Sequence, residues 1–163
     1  MQKVVSNSSP IIHLAKIGTI ELLKEYFQII TISEIVYSEY IVEGKDRREV
    51  ELIKNADWIK VLQLKDRNLV RLLQSSLDNG ESEAIALSLE IGADLILLDD
   101  SDAREKARLY GLKITGTIGI LLRAKIDGKI VSLKEELKRL KETGFWISDK
   151  LEASLLKEVG ETP

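Results

Sequence analysis

The sequence predicts an α/β protein with three layers, α/β/α, built on a central, mainly parallel sheet of about five strands. Three observations carry that expectation. Short apolar runs alternate with segments of helical period along the chain. Strands separated by helices form βαβ units, whose sheets are parallel and covered on both faces. Proline occurs only at Pro10 and Pro163, so nothing punctuates the 163 residues into two units. The chain is therefore read as one domain, 1–163, with 129–163 a C-terminal helical extension of it.

The elements follow in order. Lys3–Ser6 is the first strand, and VVSNSSPII shows it breaking into polar residues. Ser9 then Pro10 is a helix start, with a hydroxyl at the N-cap and proline at the first helical position. That start leaves Asn7 and Ser8 unexplained, and they stand where a parallel strand delivers side chains to a site. Helix Pro10–Ile17 stops at Gly18, and Thr19 caps a second helix through Tyr26. Gln28–Ile32 is the second strand, and Ser33 caps a helix reaching about Val42. Arg47–Ala56 carries Val50 and Ile53 on one helical face, and Trp58–Gln63 is the third strand. Asp66–Leu77 and Glu81–Ile91 are helical, separated by a turn at Asn79-Gly80, with Gly92 the second stop. Leu95–Leu98 is the fourth strand, Asp102–Tyr110 a helix ending at Gly111, and Lys113–Thr115 the fifth strand. Ile118–Ile126 and Ser132–Glu142 are joined through Gly128, and Ser148–Val159 is a last amphipathic helix.

Composition narrows the chemistry. Apolar (44%) and charged (31%) fractions are those of a globular protein. With no cysteine, thiolate chemistry and disulfides drop out, and a reducing cytoplasm is the expected setting. No basic-then-apolar leader pattern opens the chain, and no apolar run nears the ~20 residues of a spanning helix, so no membrane partner is expected. The single His13 lies between Ile12 and Leu14 and reads as packing; a Ser–His–Asp triad or a histidine zinc site is disfavoured. Net charge is −3, but its distribution is uneven. From Asp78 to Asp102 no Lys or Arg interrupts the acids, whereas Arg104 to Lys141 is predominantly basic. Two solvated faces fit this pattern, and so does a metal centre beside a phosphate-binding surface. Aromatic residues are scarce, so a base-stacking platform is not expected.

Polar residues after the strands locate the chemistry. LILLDDSD sets Asp99 and Asp100 at the sheet rim. Carboxylates ~4 Å apart repel by roughly 4 kcal/mol at an effective dielectric of about 20, so a cation normally joins them. A helix cap explains one such acid, Asp100, but not two. In NGESEAIALSLE, first-turn Glu81 and Glu83 suit the helix dipole. The small residues Ala84, Ala86 and Ser88 let this helix approach the sheet, so one of the two carboxylates can reach the rim. Glu39, within IVYSEYI, would alone pass for a solvated residue.

In register, these pieces resemble the PIN-domain family, the metal-dependent ribonuclease fold that includes VapC-type toxins of toxin–antitoxin pairs. VVSNSSPII is similar to the family's first strand and its Asp-Thr/Ser-Ser motif, ISEIVYSEY to the segment carrying the second acid, and GESEAIALSLEIGADLILLDD to the unit carrying the last two. GLKITGTIGILLRAKIDG resembles the ending of a less characterised branch. The match runs from Val4 to about Gly128. It departs at Asn7, where the family usually has Asp. A neutral carbonyl oxygen there should weaken a hard-ion site.

The resemblance implies RNA hydrolysis with Mg²⁺ or Mn²⁺ as cofactor. It implies Asn7, Glu39, Glu81 and Asp99 as the catalytic set, and Glu39, Glu81, Asp99 and Asp100 as metal-holding groups, with Glu83 the alternative to Glu81. Ser9 and Thr117 become candidates for a metal-bound water or phosphate, and Arg104 for a substrate phosphate. Its surface alternative is pairing with Asp100 or Glu105. RNA is the expected partner, an antitoxin protein is expected if the chain is a toxin, and a homodimer is a further candidate state. Two other classes compete. A receiver-like phosphoacceptor should have an acidic pair after the first strand and a late Lys, and Asn7-Ser8 and Gly116-Thr117 fit that poorly. A catalytically weakened or inactive binding module on the same fold is kept open by Asn7. A nucleotide-binding enzyme lacks its glycine-rich loop after the first strand.

Overall fold

Val4 and Val5 point to opposite faces of the first strand, and each enters a separate core. The computed structural model describes residues 2–43 and 47–163. Within them the strands are β1 (Val4–Ser6), β2 (Ile30–Ser33), β3 (Ile59–Leu62), β4 (Leu95–Leu97) and β5 (Ile114–Thr115). They form one parallel sheet in the order β3-β2-β1-β4-β5. The helices are α1 (Ser8–Lys16), α2 (Glu21–Phe27), α3 (Glu34–Glu43), α4 (Arg47–Lys54), α5 (Asn68–Leu73), α6 (Asn79–Ile91), α7 (Ser101–Leu109), α8 (Thr117–Ile126), α9 (Leu133–Glu142) and α10 (Asp149–Glu158). The α/β/α layering predicted from sequence is the one observed.

Side-chain alternation along the strands builds the two cores. Val4, Ile30, Ile32 and Leu97 pack with residues of α1–α3 and α8–α10, whereas Val5, Ile96 and Leu98 pack with residues of α5–α7. The C-terminal helices share the first core through Leu133, Leu137, Leu140, Leu155 and Leu156. Helix α6 is buried along its whole N-terminal half, Gly80 to Ser88. That is why it lacks a polar face and why small residues recur in it. No described helix is long and apolar enough to cross a membrane.

Several boundaries differ from expectation, each for a local reason. Helix α1 starts at Ser8 with Asn7 at the N-cap, so Pro10 is its third residue and Ser9 is not the cap. Asn79-Gly80 is not a free turn but opens α6. Asp78 caps that helix by accepting from Glu81 N (2.7 Å), and Glu81 Oε1 accepts from Asp78 N (3.2 Å), a reciprocal capping box. The predicted Asp66–Leu77 helix is regular only over Asn68–Leu73.

The order of the strands decides where a ligand can sit. From β1 the chain moves outward to β2 and β3, then returns to place β4 on the other side of β1. The crevice at the carboxyl ends of β1 and β4 is thus the switch point, where open α/β sheets bind ligands. Asn7 N donates to Leu97 O at 3.0 Å, which extends the ladder by one rung and fixes Asn7 beside the end of β4.

Candidate active site

A cleft of about 460 Å³ opens at this switch point, lined by Asn7, Ser8, Ser9, Glu39, Asp78, Glu81, Asp99, Asp100, Phe145 and Trp146. Each acid arrives by a different route. Asp99 follows β4, and Asp100 caps α7 by accepting from Ala103 N at 3.0 Å. Glu39 comes from α3, and Glu81 from the first turn of α6.

Asp99 is the most firmly held. Its Oδ1 accepts from Thr117 N (2.7 Å), and its Oδ2 accepts from Ser9 Oγ (2.6 Å) and Thr117 Oγ1 (2.7 Å). Three donors on one carboxylate fix its plane and orientation. A hydroxyl has one donor and two lone pairs. Ser9 and Thr117 can therefore still accept from a bound water, but in this arrangement neither has a proton left for a phosphate. Ser8 Oγ donates to Glu39 Oε2 at 2.7 Å, which gives the first strand's polar tail a second positioning task. Gly80 lets Glu39 in: a Cβ built on it would stand 2.7 Å from Glu39 Oε2 and 2.8 Å from its Cδ.

Asn7 is the unusual member. Asparagine at an N-cap ordinarily accepts from the helix's first free N–H groups, yet Asn7 makes no such bond. Its Oδ1 is buried and has no hydrogen-bond partner among the described residues. An amide oxygen left in that state costs roughly 1–3 kcal/mol, and a cation or a donor from a ligand relieves it. Among the described residues no three acidic groups are clustered closely enough to cage an ion. One or two carboxylates, a neutral oxygen and hydroxyls that accept from water instead suit a Mg²⁺-like ion that keeps much of its hydration shell. The residues present fit such a group.

Glu81 and Glu83 separate cleanly. Glu83 lies away from the cleft, bridged to Arg67 at 2.8 Å and accepting from Ile35 N at 3.4 Å, so it ties α6 to its neighbours. Glu81 lines the cleft, and its carboxyl is pushed up to about 7, mainly by burial, with the Asp78 and Asp100 charges adding to the shift. Its pKa is thus raised above the ordinary 4.5. As pH climbs between those values the unfolded chain ionises first, and folding stability falls until the penalty is complete above about 7. Glu81→Gln retains the acceptor for Asp78 N and removes the charge. In metal-free protein it is expected to raise the melting temperature at about pH 8, by a few degrees at roughly 2–4 °C per kcal/mol, and to leave it unchanged near pH 4. Paired thermal melts at the two pH values check this.

Arg104 does not pair with Asp100 or Glu105 in the manner expected of a surface residue. Its Nη1 donates to Leu98 O at 3.0 Å, and it shares the space around Gly116 with Asp99 Oδ1. Burial, then Arg108, lowers its pKa, opposed by the Asp99 charge. Much of the remaining basic block is engaged elsewhere: Arg123 with Asp127, Lys125 with Glu161, Lys129 with Glu25, Arg139 with Glu136 and Lys141 with Glu152. These residues read as paired surface, not as a continuous phosphate track. His13 packs as expected, edge-on to Phe145 (centroids 5.0 Å, 87°), with its Nδ1 2.9 Å from Thr143 Oγ1.

Sequence reasoning missed Asp78, Phe145 and Trp146. Asp78 was legible as a cap three residues before Glu81. Phe145 and Trp146 carry no local signal, because the α9–α10 loop reaches the cleft only through tertiary packing.

A family model described as "DUF3368: PIN domain" matches residues 3–161. The chain is similar in structure to a PilT N-terminus domain protein, SSO1118, from the hyperthermophilic archaeon Sulfolobus solfataricus P2. The TM-score is 0.55 at 23% identity, over 76% of this chain and 93% of that one, a likeness of fold. No curated protein matches the sequence.

Proposed function

Because this chain belongs to the PIN-domain family, generally nucleases that use divalent metal ions, we propose that it is a Mg²⁺- or Mn²⁺-dependent ribonuclease. The observation that carries this reading is the uncapped, unpartnered Asn7 Oδ1, buried in the same cleft as Glu39, Glu81, Asp99 and Asp100. A bound ion would supply an activated water as nucleophile and relieve charge on the phosphoryl oxygens.

This chain's residues prepare the cleft for that chemistry. Asp99, fixed by Ser9 and Thr117, and Glu39, fixed by Ser8, would hold the ion directly or through its waters. Asn7 would add a neutral oxygen, and Asp100 an outer charge. Glu81, raised to about 7, can hold a proton at its carboxyl near neutral pH and lose it as a cation enters. Arg104 would face a substrate phosphate across Gly116. In the cell we place the protein in the cytoplasm as the toxin of a toxin–antitoxin pair, its antitoxin covering the acid cleft. The second reading, a binding module with weakened catalysis, is favoured by the neutral Asn7 alone.

Incubating the protein with a mixed pool of single-stranded and structured RNA tests the proposal. Cleavage should appear as Mn²⁺ is titrated in and stop on chelation. Protection of RNA without cleavage at any Mn²⁺ concentration would favour the binding module.

A further inference from the structure

Trp146 sits in the α9–α10 loop between two anchored neighbours. Phe145 is half-buried against His13 and Ile147 is buried, while Trp146 is 82% exposed. Single exposed apolar residues are ordinary, but this one borders the acid cleft and also a second cavity beside it. That cavity, about 580 Å³, shares Asp99, Asp100, Phe145 and Trp146 with the cleft. Ile114, Ile118 and Leu151 form an apolar stretch of its remaining wall, beside Ser101, Thr115 and Gly116, and Arg104 lines it close to Asp99. An indole face, an aliphatic wall and a guanidinium beside a carboxylate cluster suit a planar, uncharged ring joined to an anionic group.

We propose that this second cavity is a nucleobase subsite, in which an unpaired base of single-stranded RNA stacks on Trp146 while Arg104 holds the adjoining phosphate. The proposal rests on the ribonuclease reading and adds to it a base-holding subsite made by Trp146 and the cavity beside the cleft. A paired base has both faces covered by its neighbours, so the subsite selects single strands. Arg104 is already oriented by Leu98 O, so it presents its remaining N–H groups with little further ordering. Stacking on an aromatic side chain tolerates any base, so the subsite would confer strand preference without strong sequence preference.

The chain has two tryptophans, and Trp58 is buried in a different pocket. In the full-length Trp58→Phe protein, the emission therefore reports Trp146 alone. A mixed-sequence single-stranded RNA octamer with phosphorothioate linkages, titrated in Mg²⁺, should quench that emission saturably, and the matching duplex should not. Followed by anisotropy of a labelled octamer, Trp146→Ala in the otherwise native chain should weaken binding about tenfold, and Trp146→Phe should retain most of it. Octamer binding with unmoved emission and an unchanged Kd in Trp146→Ala would overturn the subsite while leaving the nucleic-acid reading standing. The exposed indole would then belong to a protein contact. Absence of octamer binding to a native chain that still cleaves the mixed RNA pool would overturn the subsite alone, and absence of both would overturn it together with the ribonuclease reading beneath it.

Discussion

Asp99→Asn is expected to abolish RNA cleavage, by at least a hundredfold, with little change in stability. The two halves have different causes. Loss of outer-shell partners of a metal ligand already costs ~10–100-fold in affinity or activity, and this substitution removes an anionic ligand. The fold loses little because the asparagine oxygen can still accept from Thr117 N. The new amide N–H₂ meets Ser9 Oγ and Thr117 Oγ1, whose hydroxyls can turn to accept instead of donate. Relief of repulsion from Asp100 offsets part of the lost charge-assisted bonding. Cleavage rates and melting temperatures of the purified variant check both halves. Full activity, or collapse of the fold, would contradict the role given to Asp99.

Gly80→Ala should separate activity from stability even more sharply. Gly80 lies inside α6 without a left-handed backbone, so conformational freedom does not account for it; proximity to Glu39 does. A Cβ there stands 2.7 Å from Glu39 Oε2 and 2.8 Å from Cδ, and the flexible end of Glu39 must swing away. Alanine meanwhile favours helix over glycine, by less in this first turn than the roughly 1 kcal/mol of a helix interior. The expected outcome is a melting temperature near or above that of the native chain, with cleavage reduced tenfold or more. Equal activity in the two proteins would show that the position of Glu39 does not matter.

What the sequence disclosed, and what it did not, follows from the range of the forces involved. Strand–helix alternation and helix starts such as Ser132 and Ser148 are set over a few residues, and most boundaries lie within two positions of the expected ones; the helix expected over Asp66–Leu77, which ends at Leu73, is the exception. Asp99 and Asp100 were legible because a buried run such as Leu95–Leu98 seldom ends in two charges without a reason. Glu39 was not legible from its neighbours; only register with a family pattern singled it out. The choice between Glu81 and Glu83 turned on Arg67, 16 residues away from Glu83, and on a capping box that starts α6 two residues early. Trp146 was the furthest out of reach. Scarcity of aromatics argued against stacking, but scarcity says nothing about where one exposed indole will stand.

The central claim is that Asn7 occupies a ligand position of a divalent-ion site, and calorimetric titration of Mn²⁺ tests it most directly. The native chain should bind the ion, and Asn7→Asp should bind it more tightly, by about tenfold or more, because an anionic oxygen replaces a neutral one facing the same cleft. Native and Asn7→Asp proteins that both take up no Mn²⁺ would contradict the claim.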